Sequence, residues 1–190
     1  MPAGIRTITN SGRGDLLEAK DGDRAAFERL VAPRFGAARA LAARMLGNLD
    51  DAEDAMQEAL IKTHRGLAAL PDDVAFGPWF LRVVYHQALD MLRRRGARAR
   101  HETVAASAAS AATAAGGDLP AQRETLRRVH EVMQELPEKQ RAALHLRVHE
   151  DLSYEQIAAV LGLTAASARV YVVRARSHLR ERLAAELEER

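Results

Sequence analysis

Four groups of residues in this chain are of types that could do chemistry. His145 and His149 stand at i, i+4 of a helical stretch, a spacing at which two imidazoles can hold zinc. A protease of that kind carries Glu beside its first His, where this chain has Leu146, and the chain has no cysteine and no third ligand nearby. The pair therefore reads as two ordinary helix histidines, and no metal or other cofactor is expected. Asp51, Asp54 and Glu58 recur at three- and four-residue spacing and share a helix face. That face could hold a cation, but no other oxygen-rich stretch lies close in sequence, and acidic first turns are common because the helix dipole favours them. A docking face for a partner and a plain solvated face both remain open. Trp79, Arg82 and His86, followed by Arg93, Arg94 and Arg95, put an aromatic ring among cations. Bases stack on rings while cations hold phosphates, so this suits single-stranded nucleic acid, although a core tryptophan and arginines capping a helix would give the same pattern.

The fourth group lies in DLSYEQIAAVLGLTAASARVYVVRARSHLRERL, residues 151–183. Ser153 with Gln156 forms a capping box that starts a short helix, and Gly162 can take the left-handed conformation that ends it. Thr164 caps a second helix, in which Ala168, Val172, Ala175, Leu179 and Leu183 recur at helical spacing and face inward. Arg169, Arg174, Arg176, Arg180 and Arg182 fall outside that stripe, opposed within the helix only by Glu181. A short helix, a glycine turn and a basic second helix make a helix-turn-helix, whose second helix enters a DNA major groove. A helical hairpin with a solvated basic face is the plainer alternative. Nowhere does the chain show a nucleophile–base pair, a glycine-rich phosphate loop or a carboxylate pair with a cleft, so an enzyme is not expected.

These groups must be positioned by helices. The 190 residues have ample apolar content, few aromatics and much alanine, with no sustained β-branched alternation. The fold class is all-α: two small helical domains joined by a flexible linker. A net charge of +2 is too small to imply nucleic acid by itself, but its placement is telling, with acidic groups at 50–58 and basic groups at 93–95 and 169–182. Without cysteine there are no disulfides, and neither a membrane span nor a signal peptide is visible, so the chain reads as cytoplasmic, with no membrane insertion. In order, residues 1–14 read as a loose tail. Helices follow from Asp15 to Lys20 and from about Phe27 to Met45, the latter kinked or split by Pro33. A further helix opens at Asp50, and another runs from Gly77–Pro78 to a stop at Gly96. The first domain is thus 15–96. Residues 97–121 carry almost no bulky apolar side chain and read as linker. The second domain, 122–190, adds helices ending before Pro137 and from Glu138 to His149.

Together these pieces resemble a sigma-70 family RNA polymerase sigma factor of the extracytoplasmic function (ECF) group. NLDDAEDAMQEALIKTHRGL, residues 48–67, resembles the region 2.2 segment that docks on polymerase. FGPWFLRVVYHQALDMLRRR, residues 76–95, resembles the segment that melts and reads the −10 element. The stretch from Leu136 to Arg180 resembles region 4, which binds the −35 element. Helix-turn-helix units are shared by many regulators; the three blocks in this order, without a region 3 domain, are far more specific.

The resemblance implies roles for named residues. Asp51, Asp54, Gln57 and Glu58 become polymerase contacts. Asp73, Phe76, Trp79, Arg82 and His86 become the group that captures an extruded base of the −10 element, with Arg93, Arg94 and Arg95 on phosphates. Ala165, Ala166, Ser167, Arg169 and Val170 face −35 base edges, and Arg174 and Arg176 hold phosphates. One departure stands out: after Arg169 the family pattern is polar and basic, whereas this chain has Val170–Tyr171–Val172–Val173. The implied partners are core RNA polymerase, promoter DNA and an anti-sigma factor. The expected function is promoter recognition and DNA melting for transcription initiation. A helix-turn-helix regulator that never joins polymerase is the alternative, and it leaves residues 48–95 unexplained.

Overall fold

The structure is a computed structural model and describes residues 10–72, 74–101 and 120–188. Residues 1–9, Asp73 and the middle of the expected linker lie outside the described residues. All the described elements are helical: α1 (Asn10–Lys20), α2 (Arg24–Leu46), α3 (Leu49–Gly66), a 3-10 turn at Leu67–Ala69, α4 (Phe76–His101), α5 (Pro120–Glu135), α6 (Glu138–Val148), α7 (Tyr154–Leu161) and α8 (Ala165–Glu188).

Several helix ends follow from local chemistry. The Asp23 carboxylate accepts from the N–H groups of Ala25 and Ala26 at 2.7 and 3.1 Å and starts α2. Gly47, at φ 83°, ends it. Other ends differ from the sequence expectation. Pro33 lies inside α2 without splitting it. The proline is exposed, as is Arg29, whose carbonyl loses its partner, so water can replace the missing bond. α3 is capped by Asn48 rather than opened at Asp50: the Asn48 carboxamide oxygen accepts the Asp51 N–H at 2.8 Å. α1 starts before Asp15, and α4 runs through Gly96 to His101, since glycine weakens a helix without being forced to end it.

In the N-terminal half, α1, α3 and α4 pack on α2. Ala26, Ala38, Ala42, Ala52, Ala59 and Ala88 are wholly buried, which lets these helices approach closely around Leu41, Met45, Met56, Phe80 and Val84. In the C-terminal half, α6 is covered by α7 and α8 on one side and by α2 on the other. Arg141, Ala142, Ala143, Leu144, His145 and Leu146 are therefore all buried in succession, as a helix surrounded by protein requires. α7 packs on α4, so the two halves meet along a direct seam and share one continuous apolar core.

Candidate nucleic-acid interface

The capping box of α7 is complete. Gln156 N–H donates to the Ser153 hydroxyl at 3.2 Å, and Ser153 N–H donates to the Gln156 carboxamide oxygen at 2.9 Å. Gly162 ends α7 in the left-handed region at φ 64°, and the chain re-enters helix at an angle of 96°. Thr164 starts α8: its hydroxyl accepts the Ser167 N–H at 3.1 Å. Ala168, Val172 and Ala175 are wholly buried, and Leu179 is half-buried, so the inward stripe of α8 is set. That fixes what faces out. Arg169, Val170, Val173, Arg174 and Arg176 are exposed, with Ala166 beside them, while Ala165 and Ser167 are half-buried. The surface is cationic with an apolar strip, Val170 being 43% and Val173 55% exposed. Arg182 is engaged elsewhere. It grips Glu135 on α5 in a two-pronged pair at 2.9 Å each, and this bond holds the Glu135 carboxyl below its usual range.

On α4, Arg82, His86, Arg93, Arg94 and Arg95 are exposed, and Trp79 is half-buried against Gly66 and the Phe76 ring. The Trp79 ring system is thus braced along one side while the rest reaches solvent. His86 Nδ1 bonds the Arg82 carbonyl at 2.8 Å, and its ring meets Tyr85 edge-on at 5.2 Å. Phe76 differs from the role the resemblance implies. It is buried, its ring parallel to that of Phe80 at 5.8 Å, and in this conformation no base can stack on it. The Asp73 assignment lies outside the described residues.

The acidic face of α3 divides. Asp54, Gln57 and Glu58 are exposed, and no ion pair ties down Asp54 or Glu58 among the described residues. Asp51 is half-buried. Its carboxylate accepts from the Asn48 side-chain N–H at 2.5 Å and pairs with Arg95, whose guanidinium also reaches the Leu46 carbonyl at 3.5 Å. An expected polymerase contact and an expected phosphate contact thus hold each other at the end of α2.

His145 and His149 lie with ring centroids 4.9 Å apart, and among the described residues no group of three or more His, Asp or Glu is placed to hold an ion. His145 is 1% exposed and neither ring nitrogen has a hydrogen-bond partner. Burial, with Arg44 and His149 nearby, pushes its pKa down to about 3.

Sequence reasoning missed the seam between the halves. Arg141, on α6, is buried; its guanidinium donates to the carbonyls of Met45 on α2 and of Gln134 and Leu136 at the end of α5, each at 2.9 Å. It also donates to the Gln134 side chain, which in turn donates to the Arg44 carbonyl at 3.2 Å. A signal for this existed in the unbroken run Arg141–Leu146, which has no polar face apart from Arg141 and His145 themselves.

Family models match both halves: Sigma-70 region 2 over residues 30–98 and Sigma-70, region 4 over residues 126–179. The RNA polymerase sigma-H factor of Pseudomonas aeruginosa is 34% identical over 178 residues, covering 89% of this chain and 92% of that protein. The ECF RNA polymerase sigma-E factor of Escherichia coli is 31% identical over 163 residues, 82% of this chain and 85% of that protein. Among solved structures, the sigma factor RpoE in complex with the anti-sigma factor NepR from Bartonella quintana superposes with a TM-score of 0.71 at 25% identity, over 83% of this chain and 96% of that one. CnrH in complex with the cytosolic domain of CnrY gives 0.69 at 27% identity, over 93% and 99%. A helix-turn-helix regulator would account for the second family match alone, whereas both halves match here. The chain belongs to the sigma-70 family, in its extracytoplasmic function group, and its function is that of a sigma factor in transcription initiation.

Proposed function

We propose that this protein docks on core RNA polymerase through the exposed α3 face of Asp54, Gln57 and Glu58, with Asp51 at its edge. It reads and melts the −10 element with α4 and reads the −35 element with α8. The observation that carries this reading is the pair of separate cationic surfaces, on α4 and α8, presented by one chain that also carries an exposed acidic face on α3, ahead of both in sequence. On α4, Trp79 offers a braced ring for an unstacked base, with Arg82 and His86 beside it and Arg93 and Arg94 for phosphates. On α8, Ala165, Ala166, Ser167, Arg169 and Val170 take base edges, and Arg174 and Arg176 take phosphates. Val170 and Val173 are suited to thymine methyls. Each surface alone is small, and the tether raises the effective concentration of the second contact once the first is made.

The chain supplies no catalytic residue of its own in this reading; the chemistry belongs to the polymerase. It acts in the cytoplasm, where that enzyme works, and no single described helix is long and apolar enough to cross a membrane. The solved RpoE relative is bound to the anti-sigma factor NepR, and a protein of that class is the proposed inhibitor here. The test is transcription in vitro with core polymerase on a promoter library. Initiation at defined sites that share two spaced motifs is the expected result; initiation at no defined site would refute it.

A further inference from the structure

Arg169 is exposed and makes no hydrogen bond or ion pair with the described residues, yet it has a fixed neighbour. Its guanidinium lies over the Tyr154 ring, 5.0 Å from the centroid. Tyr154 is the first residue of α7 and lies inside the Ser153–Gln156 capping box, so its backbone is held between two hydrogen bonds. A second guanidinium, that of Arg147, also lies over this ring at 5.3 Å. Arg147 is committed: it donates to the Leu152 carbonyl at 2.8 Å and stands 3.6 Å from Asp151. Of the two cations on the ring, Arg169 is the one whose donors remain unspent.

We propose that Tyr154 is a positioning residue for −35 specificity, its ring holding the Arg169 guanidinium in the plane from which Arg169 reads a guanine edge. This rests on the reading of α8 given above. A guanidinium over an aromatic face is attracted by the ring quadrupole while its N–H groups point outward in their own plane. The bidentate contact to guanine O6 and N7 needs those in-plane donors. A hydrogen-bonded anchor would consume them; the ring does not. A long side chain that is already ordered also loses less freedom when DNA arrives. Space is left for the approach: an open cleft of about 280 Å³ is lined by Tyr154, Glu155, Ala165, Ala166 and Arg169, and its two alanines present only methyl groups.

The experiment uses the full chain with core polymerase and promoter duplexes randomised through the −35 element, reading the preference at each base pair. Arg169→Ala should abolish preference at one G·C position. Tyr154→Leu should lower preference at that same position about two- to five-fold, the span expected of an exposed cation–π contact, and leave the other positions alone. Tyr154→Phe should keep it. In the Arg169→Ala background, Tyr154→Leu should add nothing. Because leucine could loosen α7, a ring-fluorinated phenylalanine at position 154 serves as a second probe: it keeps the shape, removes the negative ring face, and should also lower that preference. An unchanged preference with the fluorinated ring, or a uniform loss at all positions from Tyr154→Leu, overturns the proposal, the latter marking Tyr154 as a phosphate contact or a fold residue. If Arg169→Ala alters no position, the assignment of Arg169 as a reader fails first, and the two failures are thereby told apart.

Discussion

The Arg141 guanidinium donates to the Met45 carbonyl at 2.9 Å, a bond that crosses from the C-terminal half of the chain to the end of a helix in the N-terminal half. The same group donates to Gln134 and Leu136 at the end of α5, so one buried cation meets the carbonyl ends of two helices, where dipoles favour positive charge. Burial lowers the pKa of Arg141, and of Arg44 beside it, from the usual arginine value.

Replacing this cation with methionine keeps most of the volume and removes the donors. Four buried or half-buried carbonyls, those of Arg44, Met45, Gln134 and Leu136, then lose a charged partner. Arg141→Met should lower the stability of the packed form by roughly 2–4 kcal/mol. Denaturant unfolding would register the loss, and small-angle scattering would register separation of the halves as a larger radius of gyration. A variant with wild-type stability and dimensions would show that Arg141 does not hold the seam.

What could be read from the sequence was what is local. Ser153 with Gln156, Gly162 and Thr164 define the helix-turn-helix through contacts within three or four residues, and the alternation of alanine and valine along α8 fixes its inward face. The acidic and basic faces were legible as faces. Their division was not: Asp51 is drawn inward by Arg95, a residue 44 positions on, and Phe76 is drawn into the core by Phe80 and its neighbours. The seam stayed hidden because α6 is apolar on both sides, and a periodicity argument finds one buried face at a time. Whether Pro33 would split α2 was not legible for a related reason, since its cost depends on whether water reaches the freed carbonyl.

His145 makes the fold sensitive to acid. In the folded chain its pKa is pushed down to about 3, first by burial and then by Arg44 on α2 and His149 just after α6; the Ala37 carbonyl faces it but forms no bond of proper geometry. Unfolded, the ring titrates near the ordinary histidine value of about 6.5. The unfolded chain therefore binds more protons between these values. The contribution is fully present above about pH 6.5 and is lost as pH falls, with a slope approaching about 1.4 kcal/mol per pH unit. Between pH 7.5 and 5 the His145 share is about 2 kcal/mol. His130 and His149 are shifted down as well, first by burial, and act in the same direction. His145→Leu should lose correspondingly less stability over that interval; an unchanged slope in urea titrations at the two pH values would exclude this histidine as the source.

Gly162 offers a clean test of the turn. It sits at φ 64°, and nothing lies within 4 Å of where a Cβ would stand. Gly162→Ala should cost only the left-handed backbone, about 1–2 kcal/mol, with no clash added. Removing the Ser153 hydroxyl with Ser153→Ala should cost about 1 kcal/mol through the lost cap. Both variants should lower the thermal midpoint, and Gly162→Ala should do so without altering base preference at the −35 element in the folded population. A changed preference would mean that the turn is involved in reading DNA.

The two kinds of carboxylate on α3 should separate in a polymerase-binding assay. Asp54 and Glu58 are exposed, so Asp54→Ala with Glu58→Ala removes charge from the surface at little cost to the fold. If that face docks on polymerase, affinity should fall several-fold, mostly at low salt, where exposed charges are least screened. Asp51 is bound to Asn48 and Arg95, so Asp51→Ala should lower the melting temperature as well as any affinity, and it frees Arg95 from its partner. Asn48→Ala should share the stability loss, about 1 kcal/mol, without the charge change. Competition for core polymerase against a labelled wild-type chain measures the affinities, and calorimetry measures the fold. Wild-type affinity in the Asp54, Glu58 double variant would remove the acidic face from the docking surface, because no structural loss would be available to mask the effect.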